Sequence, residues 1–275
     1  MNNKSEMSRR AAQKLWQKFN TDRIFREEML EKMRNRKVDM NHMHRISRLG
    51  VIARMKKHKK FVPDLTIKEI LFHKARICAC LAADGSVYIR EENNRKRHYT
   101  IRFYPDNIEL ANSFVRSFHM IYGRSPSIKV EKKYFIINCD CKDAVLDLFS
   151  ITKFGSLEWF IPFKILKNSA TKKEWLKSFF DCDGYVAKKY VQLQSVNRKG
   201  IKQIQTLLQT FGIVSRIYIY KRKQKNWNTN YLLNIYGKEM MAKFSKEIGF
   251  NHPLKMKKLD NLIMLESPKQ VGHQN

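Results

Sequence analysis

Acidic residues are scarce in this chain, in which 25 Asp and Glu stand against 55 Lys and Arg and leave a formal net charge of +30. Solubility requires far less charge than this, and the basic residues are spread along the whole sequence rather than gathered in one tail. Hydrophobic residues make up 43% and aromatic residues 12% of the chain, which predicts packed cores rather than a disordered basic arm. A folded protein with this charge is expected to bind a polyanion such as nucleic acid, although a ribosomal-type or membrane-surface protein has a similar charge balance.

Cysteines are few and do not form a pattern. The chain has five, an odd number, and no Cys-x-x-Cys pair, which argues against a disulfide framework and against a zinc knuckle. Cys78, Cys80 and Cys182 lie inside apolar segments, where they are interpreted as small buried thiols at a tight interface. This use of cysteine predicts a reducing compartment.

Long apolar runs are also missing. The segment from Ile77 to Ala83 is far too short to span a membrane, and the first six residues contain no hydrophobic signal region. We therefore expect a cytoplasmic protein, with an organellar matrix as the alternative.

Two segments of the sequence run from apolar residues into an Asp-Gly pair, at Asp84-Gly85 and at Asp183-Gly184. Thr66 with Glu69, and Thr171 with Glu174, have the spacing of a capping box, which predicts that a helix begins at each point. Each helix is predicted to end at its Asp-Gly, where glycine lets the chain turn into a strand.

The sequence downstream of each motif supports a duplication. The segment around Gly123 parallels that around Gly212, and the segment leading to Lys142 parallels that leading to Lys238. Each copy is predicted to be helix, two strands, helix, two strands, helix, which is an α+β fold of duplicated αββαββα units related by a pseudo-twofold axis. We predict units at residues 66–165 and 166–275.

Residues 1–65 are predicted to form a basic helical extension that ends near Pro63. Apolar residues recur there at spacings of three and four, which is typical of amphipathic helices, and a helix-turn-helix is one interpretation. The apolar positions are Leu15, Trp16, Phe19, Ile24, Phe25, Met29, Leu30 and Met33, followed by Met43, Ile46, Leu49, Ile52 and Met55.

The pair of motifs resembles those of the LAGLIDADG homing endonucleases in their single-chain, two-motif form. Both copies match the closing Asp-Gly of the family motif, and Ala79 and Ser178 stand in place of its helix-packing glycine. Ala82 occupies a position where the family often has an earlier acidic residue, which is not its metal ligand. The resemblance covers about residues 66–265 and implies antiparallel, saddle-shaped sheets.

The resemblance implies that the two motif helices pack through small residues and bring Asp84 and Asp183 to one axis. These carboxylates, with backbone carbonyls near Ala83 and Cys182, would bind Mg2+ or Mn2+ ions at the scissile phosphates. Oxygen ligands suit such hard cations, and paired carboxylates repel each other unless a cation offsets them. For a single Asp-Gly the alternative is a carboxylate that only caps the following turn.

The family also implies a basic side chain near the attacking water. The repeat alignment pairs Lys132 with Lys221, each just beyond a β-prone run, and these are the candidate catalytic lysines. An equally open alternative is that both are ordinary phosphate contacts.

DNA would lie along the saddle. Strand alternation directs Ile101, Phe103, Val191 and Leu193 to the core, and the residues between them away from it. Arg102 and Gln192 suit base edges, and lysines suit phosphates, although a solvated charged surface is the alternative for any one of them. The candidate DNA-binding residues are Arg90, Arg102, Lys129, Lys188, Lys189, Gln192, Gln194, Arg198, Lys199, Arg222, Lys223 and Lys225.

The resulting prediction is a monomeric, metal-dependent, site-specific double-strand DNA endonuclease, and the resemblance implies a role in the mobility of an intron or similar element. Two alternatives stay open. One is an RNA maturase that binds intron RNA on the same fold, and the other is a DNA-binding regulator that does not cleave.

Overall fold

The computed structural model describes residues 13–14, 17–18, 20–34, 61–92, 96–221 and 227–265. The chain divides into two compact units, residues 1–60 and residues 61–275.

The first unit contains helix α1, Arg23–Arg34. Asp22 caps its first turn, because the backbone N–H of Phe25 donates to Asp22 Oδ1 at 3.0 Å. Arg23 and Glu27 form an exposed ion pair one turn apart, with Nε 3.1 Å from Oε1. Of the predicted apolar stripe, Leu15, Trp16, Phe19 and the cluster from Met43 to Met55 lie outside the described residues.

The second unit holds two copies of the predicted αββαββα order. The first repeat consists of α2 Ile67–Asp84, β1 Gly85–Glu92, β2 Lys96–Phe103, α3 Ile108–Tyr122, β3 Ser127–Val130, β4 Phe135–Asp140 and α4 Lys142–Ile151. The second repeat consists of α5 Ser169–Asp183, β5 Gly184–Val186, β6 Tyr190–Ser195, α6 Arg198–Gln209, β7 Arg216–Tyr220, β8 Asn230–Tyr236 and α7 Lys238–Glu247, followed by α8 Pro253–Leu265. The predicted α+β fold is confirmed.

Each repeat forms its own antiparallel sheet, with strand order β1-β2-β4-β3 in the first and β5-β6-β8-β7 in the second. The predicted strand faces are confirmed, since Ile101, Phe103, Val191 and Leu193 are buried. Because a strand alternates its side chains between faces, Arg102 and Gln192 lie on the opposite, outward face. No helix in the described ranges is both long and apolar enough to span a membrane.

The two motif helices begin differently. At α2 the predicted capping box is present: the Glu69 backbone N–H donates to Thr66 Oγ1, and the Thr66 N–H donates to Glu69 Oε2 at 2.8 Å. At α5 the predicted box of Thr171 and Glu174 is wrong. Asn168 caps this helix and pairs reciprocally with Thr171, because an Asn three residues earlier offers the helix a better first acceptor.

The Asp-Gly glycines are required for space rather than for an unusual backbone conformation. Gly85 has φ −128° and Gly184 has φ −76°, both of which any residue can adopt. A Cβ at Gly184 would collide with the carbonyl oxygen of Phe180, and one at Gly85 would lie 2.6 Å from Leu81 Cα. Glycine therefore lets each strand begin close against its own motif helix. The sequence predicted these glycines for their conformational freedom, but the structure requires them because a side chain would not fit.

Candidate active site at the paired helix ends

The motif helices α2 and α5 pack side by side, and the contacts between them follow the same order along both helices. Near their N-terminal halves, Arg76 Nε lies 2.5 Å from Glu174 Oε1, and both side chains are largely buried. Further along, the thiols of Cys80 and Cys182 are in contact. Because both helices end at an Asp-Gly, this packing brings Asp84 and Asp183 together at the same end of the helix pair.

Small side chains occupy the interface, as the resemblance implied. Ala79 and Ser178 are both buried. The partner of Cys182 is Cys80, however, whereas the predicted interface residue Cys78 is buried beside Asp147 of α4. The hydrogen bond with the Cys80 thiol, and then burial, hold the pKa of Cys182 well above its ordinary value, so this cysteine is a neutral packing residue rather than a nucleophile.

The two carboxylates share a site that disfavours their charged forms. Burial, and then the nearby charge of Asp84, raise the pKa of Asp183 from 3.8 to about 7. Burial also raises the pKa of Asp84, and Asp106 raises it further. A nearby cation favours the charged forms of two carboxylates that repel each other in a desolvated site.

Lys255 supplies one such cation, and no pattern in the sequence predicted it. Its charge lowers the pKa of both Asp84 and Asp183. Its Nζ donates to the carbonyl oxygens of Asp181 at 2.5 Å and of Cys182 at 2.9 Å. Lys255 belongs to α8, which follows the second repeat, so the alignment of the two repeats gives it no counterpart in the first.

Asp181 fixes the start of α8 and thereby places Lys255. Its carboxylate accepts the backbone N–H groups of Asn251 at 2.8 Å and His252 at 2.9 Å, and the Asn251 side chain at 3.0 Å. Burial raises the pKa of Asp181, whereas these hydrogen bonds and Lys255 oppose that rise. The first acid of the second motif is thus a structural residue.

Another pair lies at the edge of the site. His252 Nε2 is 3.5 Å from Asp106 Oδ1, and the Asp106 side chain is 58% exposed. The other ring nitrogen of His252 is buried without a hydrogen-bond partner. Asp106 follows β2, and the Tyr104 N–H just before it donates to the carbonyl of Asp84 at 3.0 Å. The β2 end and the α8 start therefore flank the carboxylates.

The donors at this site fit a hard divalent cation held by few protein ligands. Within the described ranges, no group of three or more His, Cys, Asp and Glu residues could hold a metal ion by itself. The two carboxylates and the backbone carbonyls beside them are oxygen ligands, and Mg2+ characteristically takes one or two carboxylates and completes its shell with water and phosphate. The raised pKa values of Asp84 and Asp183 indicate the charge that such an ion would offset.

The predicted lysines Lys132 and Lys221 occupy equivalent places in the two repeats. Lys132 lies in the turn between β3 and β4, and Lys221 directly follows β7. Both are exposed at the ends of hairpins. Their catalytic role stays a prediction, while Lys255 is the lysine whose charge acts on both carboxylates.

Part of the predicted DNA-binding set lies on the outward sheet faces. Strand register places Arg90 and Arg102 on the outward face of the first sheet, and Gln192 and Gln194 on that of the second. Lys129 of β3 is exposed and pairs with Glu131, with Nζ 2.6 Å from Oε1. The outward faces are therefore polar and partly basic next to the paired carboxylates.

Other predicted contacts lie elsewhere. Lys188 and Lys189 are exposed in the turn between β5 and β6, and Lys199 is exposed on α6. Arg198 lines a groove with Ile217 and other residues on the helix-covered side of the second sheet, so the structure does not bring it to the outward face. Arg222, Lys223 and Lys225 lie outside the described residues.

Comparison with known proteins agrees with this geometry. Residues 170–249 match the family model of the LAGLIDADG-like domain. The structure of I-DmoI with DNA and Mn superposes with a TM-score of 0.54 at 14% identity, covering 67% of this chain and 98% of that one. The structure of I-DmoI with DNA and Ca gives a TM-score of 0.54 at 13% identity and covers 70% and 99% of the two chains.

Curated relatives share only a segment. A glutamine–fructose-6-phosphate aminotransferase of Methanocaldococcus jannaschii is 26% identical over 186 residues, which is 64% of this chain and 17% of that protein. A replication factor C small subunit of Thermococcus kodakarensis is 33% identical over 96 residues, 35% of this chain and 11% of that protein. The chain thus spans less than a fifth of either relative, and their unrelated names assign it no activity.

The family model covers the second motif but not the first. In the structure the first motif helix packs against the second. Residues 170–249 match the model of the LAGLIDADG-like domain, and the two repeats together have the fold of I-DmoI, a single-chain, two-motif LAGLIDADG homing endonuclease.

Proposed function

We propose that this chain is a divalent-metal-dependent endonuclease that cuts both strands of a specific DNA site. The observation that carries the proposal is the pairing of Asp84 and Asp183 at adjacent helix ends, in surroundings that raise the pKa of both. A carboxylate that only capped a turn would gain nothing from a second one beside it, since the two destabilise each other when charged.

The metal ligands would be the carboxylates of Asp84 and Asp183, together with the carbonyl of Ala83. The second predicted carbonyl, that of Cys182, already accepts a hydrogen bond from Lys255. A bound Mg2+ would activate water and stabilise the charge on the leaving oxygen. I-DmoI, which shares the fold, is seen with DNA and Mn and with DNA and Ca.

The protein's own residues do three things around this centre. Lys255 bonds the carbonyl oxygens of Asp181 and Cys182 and favours the ionised form of both motif carboxylates. Asp181 holds the start of α8, and therefore Lys255, in place. The two outward sheet faces present Arg, Gln and Asn side chains for base edges, and the charge of +30 attracts the phosphate backbone.

A second candidate is a DNA-binding protein of the same fold that does not cleave. Lys255 is the observation that favours it, because its ammonium group already offsets part of the negative charge of the pair. The carboxylates could then persist as a structural element. The two candidates differ in one result, which is whether bound DNA is cut when Mg2+ is added.

The test begins with selection of bound duplexes from a randomised DNA library in Ca2+, followed by addition of Mg2+ to the selected duplexes. The endonuclease proposal predicts strand cuts in wild type and their loss in Asp84→Asn and Asp183→Asn, with binding retained. Asp143→Asn, which changes an exposed acid in the first turn of α4, is the matched control and should cut like wild type.

Selection of a duplex that wild type binds but does not cut in Mg2+ or Mn2+ would establish the second candidate instead. Preferential selection of RNA over DNA, in a parallel experiment with a randomised RNA library, would favour the maturase alternative.

A further inference from the structure

The row of side chains that crosses each sheet next to its motif carboxylate differs between the repeats. In the first sheet, strand register places Ser86, Arg102, Asn138 and Ser127 side by side across all four strands. Ser86 is two residues after Asp84, so this is the outward row nearest to the carboxylates.

The second sheet has the equivalent row, formed by Tyr185, Gln192, Asn234 and Arg216. Tyr185 is two residues after Asp183, and it is 57% exposed. The asparagine occupies the same place in both rows, but its neighbours differ. On the central strand they are Arg102 in the first sheet and Gln192 in the second, and on the edge strand they are Ser127 and Arg216. The pseudo-twofold axis therefore relates two rows of the same geometry and different chemistry.

In the first row, contacts with Asn138 and Tyr88 orient the Arg102 guanidinium and leave two donors available for a bidentate contact. Its Nε donates to Asn138 Oδ1 at 3.4 Å, and its guanidinium lies over the Tyr88 ring, 5.8 Å from the centroid. Within the described part of the chain, its two Nη groups make no hydrogen bond. A guanidinium with two available donors matches the O6 and N7 acceptors of guanine in the major groove.

In the second row a hydrogen-bond chain fixes the amide of Gln192. Its Nε2 donates to Asn234 Oδ1 at 2.9 Å, and Asn234 Nδ2 donates in turn to the Tyr236 hydroxyl at 2.7 Å. The amide keeps its oxygen as an acceptor and its second N–H as a donor. That pair matches the N6 donor and N7 acceptor of adenine.

We propose that the repeats read the base pairs nearest the cut differently, with Arg102 selecting guanine in one half of the target and Gln192 selecting adenine at the corresponding position of the other. The inference rests on the proposed function, because it places DNA along both outward sheet faces. It goes beyond that function by making the target asymmetric at one defined position in each half.

The experiment exchanges the two residues in the full chain and repeats the selection of bound duplexes. Arg102→Gln should change the preferred base from guanine to adenine at one position in one half only, and Gln192→Arg should make the reverse change in the other half. Discrimination against the wrong base is expected to be about 10- to 100-fold at each position.

Two controls separate base reading from charge and from folding. Arg102→Lys keeps the charge but loses the planar fork, so it should weaken the guanine preference while the salt dependence of binding stays the same. Thr206→Arg adds the same charge at an exposed position of α6, on the other side of the second sheet, and should leave the preference at the Gln192 position unchanged. Circular dichroism of each variant tests whether it is folded.

The outcomes distinguish this inference from the proposed function. If wild type selects no duplex, the proposed function fails and this inference fails with it. If wild type selects and cuts a duplex but Arg102→Gln and Gln192→Arg keep the wild-type base preferences, the inference alone is overturned.

Discussion

Among single residues, Lys255 links the structure of the site to its chemistry. It is anchored by the carbonyls at the end of one motif helix and acts on the carboxylates of both. A buried carboxylate pair next to a single lysine retains a net negative charge, which is what a divalent cation would offset. Lys255 therefore sets how readily the pair ionises.

Lys255→Met should raise the pKa of Asp84 and Asp183, because the charge that lowers both is removed. The acidic limb of the pH–rate profile for DNA cleavage would then move to higher pH, and the rate on that limb would fall roughly tenfold for each pH unit that the limb moves. Lys258→Met, an exposed change on the same helix, is the control and should leave the profile in place. An acidic limb that stays at the wild-type pH in Lys255→Met would show that this lysine does not act on the carboxylates.

Asp183 makes stability depend on pH when no metal is bound. Its pKa is raised from 3.8 to about 7 by burial and by Asp84, so between these values the folded state keeps a proton that the unfolded state loses. That contribution is complete below about pH 4 and is lost as the pH rises to 7. In EDTA, urea unfolding should find Asp183→Asn more stable than wild type at pH 8, by roughly 1 to 3 kcal/mol, and not at pH 4.

Addition of Mg2+ at pH 8 should raise the free energy of unfolding of wild type and have little effect on Asp183→Asn. A difference between the two proteins that is the same at every pH would contradict the assignment of the raised pKa to Asp183.

The sequence predicted the two carboxylates but not the lysine, and the reason is physical. Asp84 and Asp183 end apolar segments that repeat along the chain, and a repeat is visible in one sequence. Lys255 lies in a helix that follows the second repeat and reaches the site only through the Asp181 hydrogen bonds, which join residues about 70 positions apart. No local pattern distinguishes it from the other lysines of so basic a chain.

At the level of elements, the pairing of α2 with α5 depends on a contact that the repeats do not share. Counted back from the Asp-Gly, Glu174 takes the place of Ala75, and Arg76 takes the place of Trp175. The reciprocal positions, Ala75 and Trp175, cannot form an ion pair, so only Arg76 and Glu174 do. Ser117 bonds to Arg76, and Ser178 bonds to Glu174. The ion pair joins two different helices in one register and so fixes where their carboxylates meet.

Arg76→Met should destabilise the protein by about 3 to 5 kcal/mol, because it leaves the buried carboxylate of Glu174 without its cation. Glu174→Leu should have a similar effect, and the double variant should recover most of the loss, since two apolar residues can replace a buried ion pair. Denaturant unfolding of the four proteins in a double-mutant cycle measures the coupling. Additive losses would show that the two residues do not stabilise one another.

Strand faces and helix starts show how far local sequence determines an element. The faces of β2 and β6 follow from alternation alone, since a slip of one residue would expose Phe103 or Leu193. The start of α5 did not follow, because Asn168 with Thr171 and Thr171 with Glu174 both have cap spacing. Asn168 is the better acceptor, and Glu174 pairs instead with Arg76, a residue 98 positions away.

For the whole molecule, duplication explains most of what could be predicted. Two copies of one αββαββα pattern specify two antiparallel sheets and two carboxylate-bearing helices, and the structure has both. The differences between the copies, at Arg76 and Glu174, at Arg102 and Gln192, and at Lys255, are what the repeat pattern could not supply. They are also where the two repeats differ in chemistry.

The central claim is that Asp84 and Asp183 form a shared metal-dependent active site. The most direct test measures metal-dependent cutting of both strands of a bound duplex by wild type, Asp84→Asn and Asp183→Asn. A duplex labelled on each strand and incubated with Mg2+ should be cut in both strands by wild type, and EDTA should abolish cutting. Each single variant should bind the duplex but lose at least about a hundredfold in cutting rate, as expected when a group that acts in the chemical step is removed. Variants that cut both strands as fast as wild type would contradict the assignment of Asp84 and Asp183 as a shared metal-dependent active site.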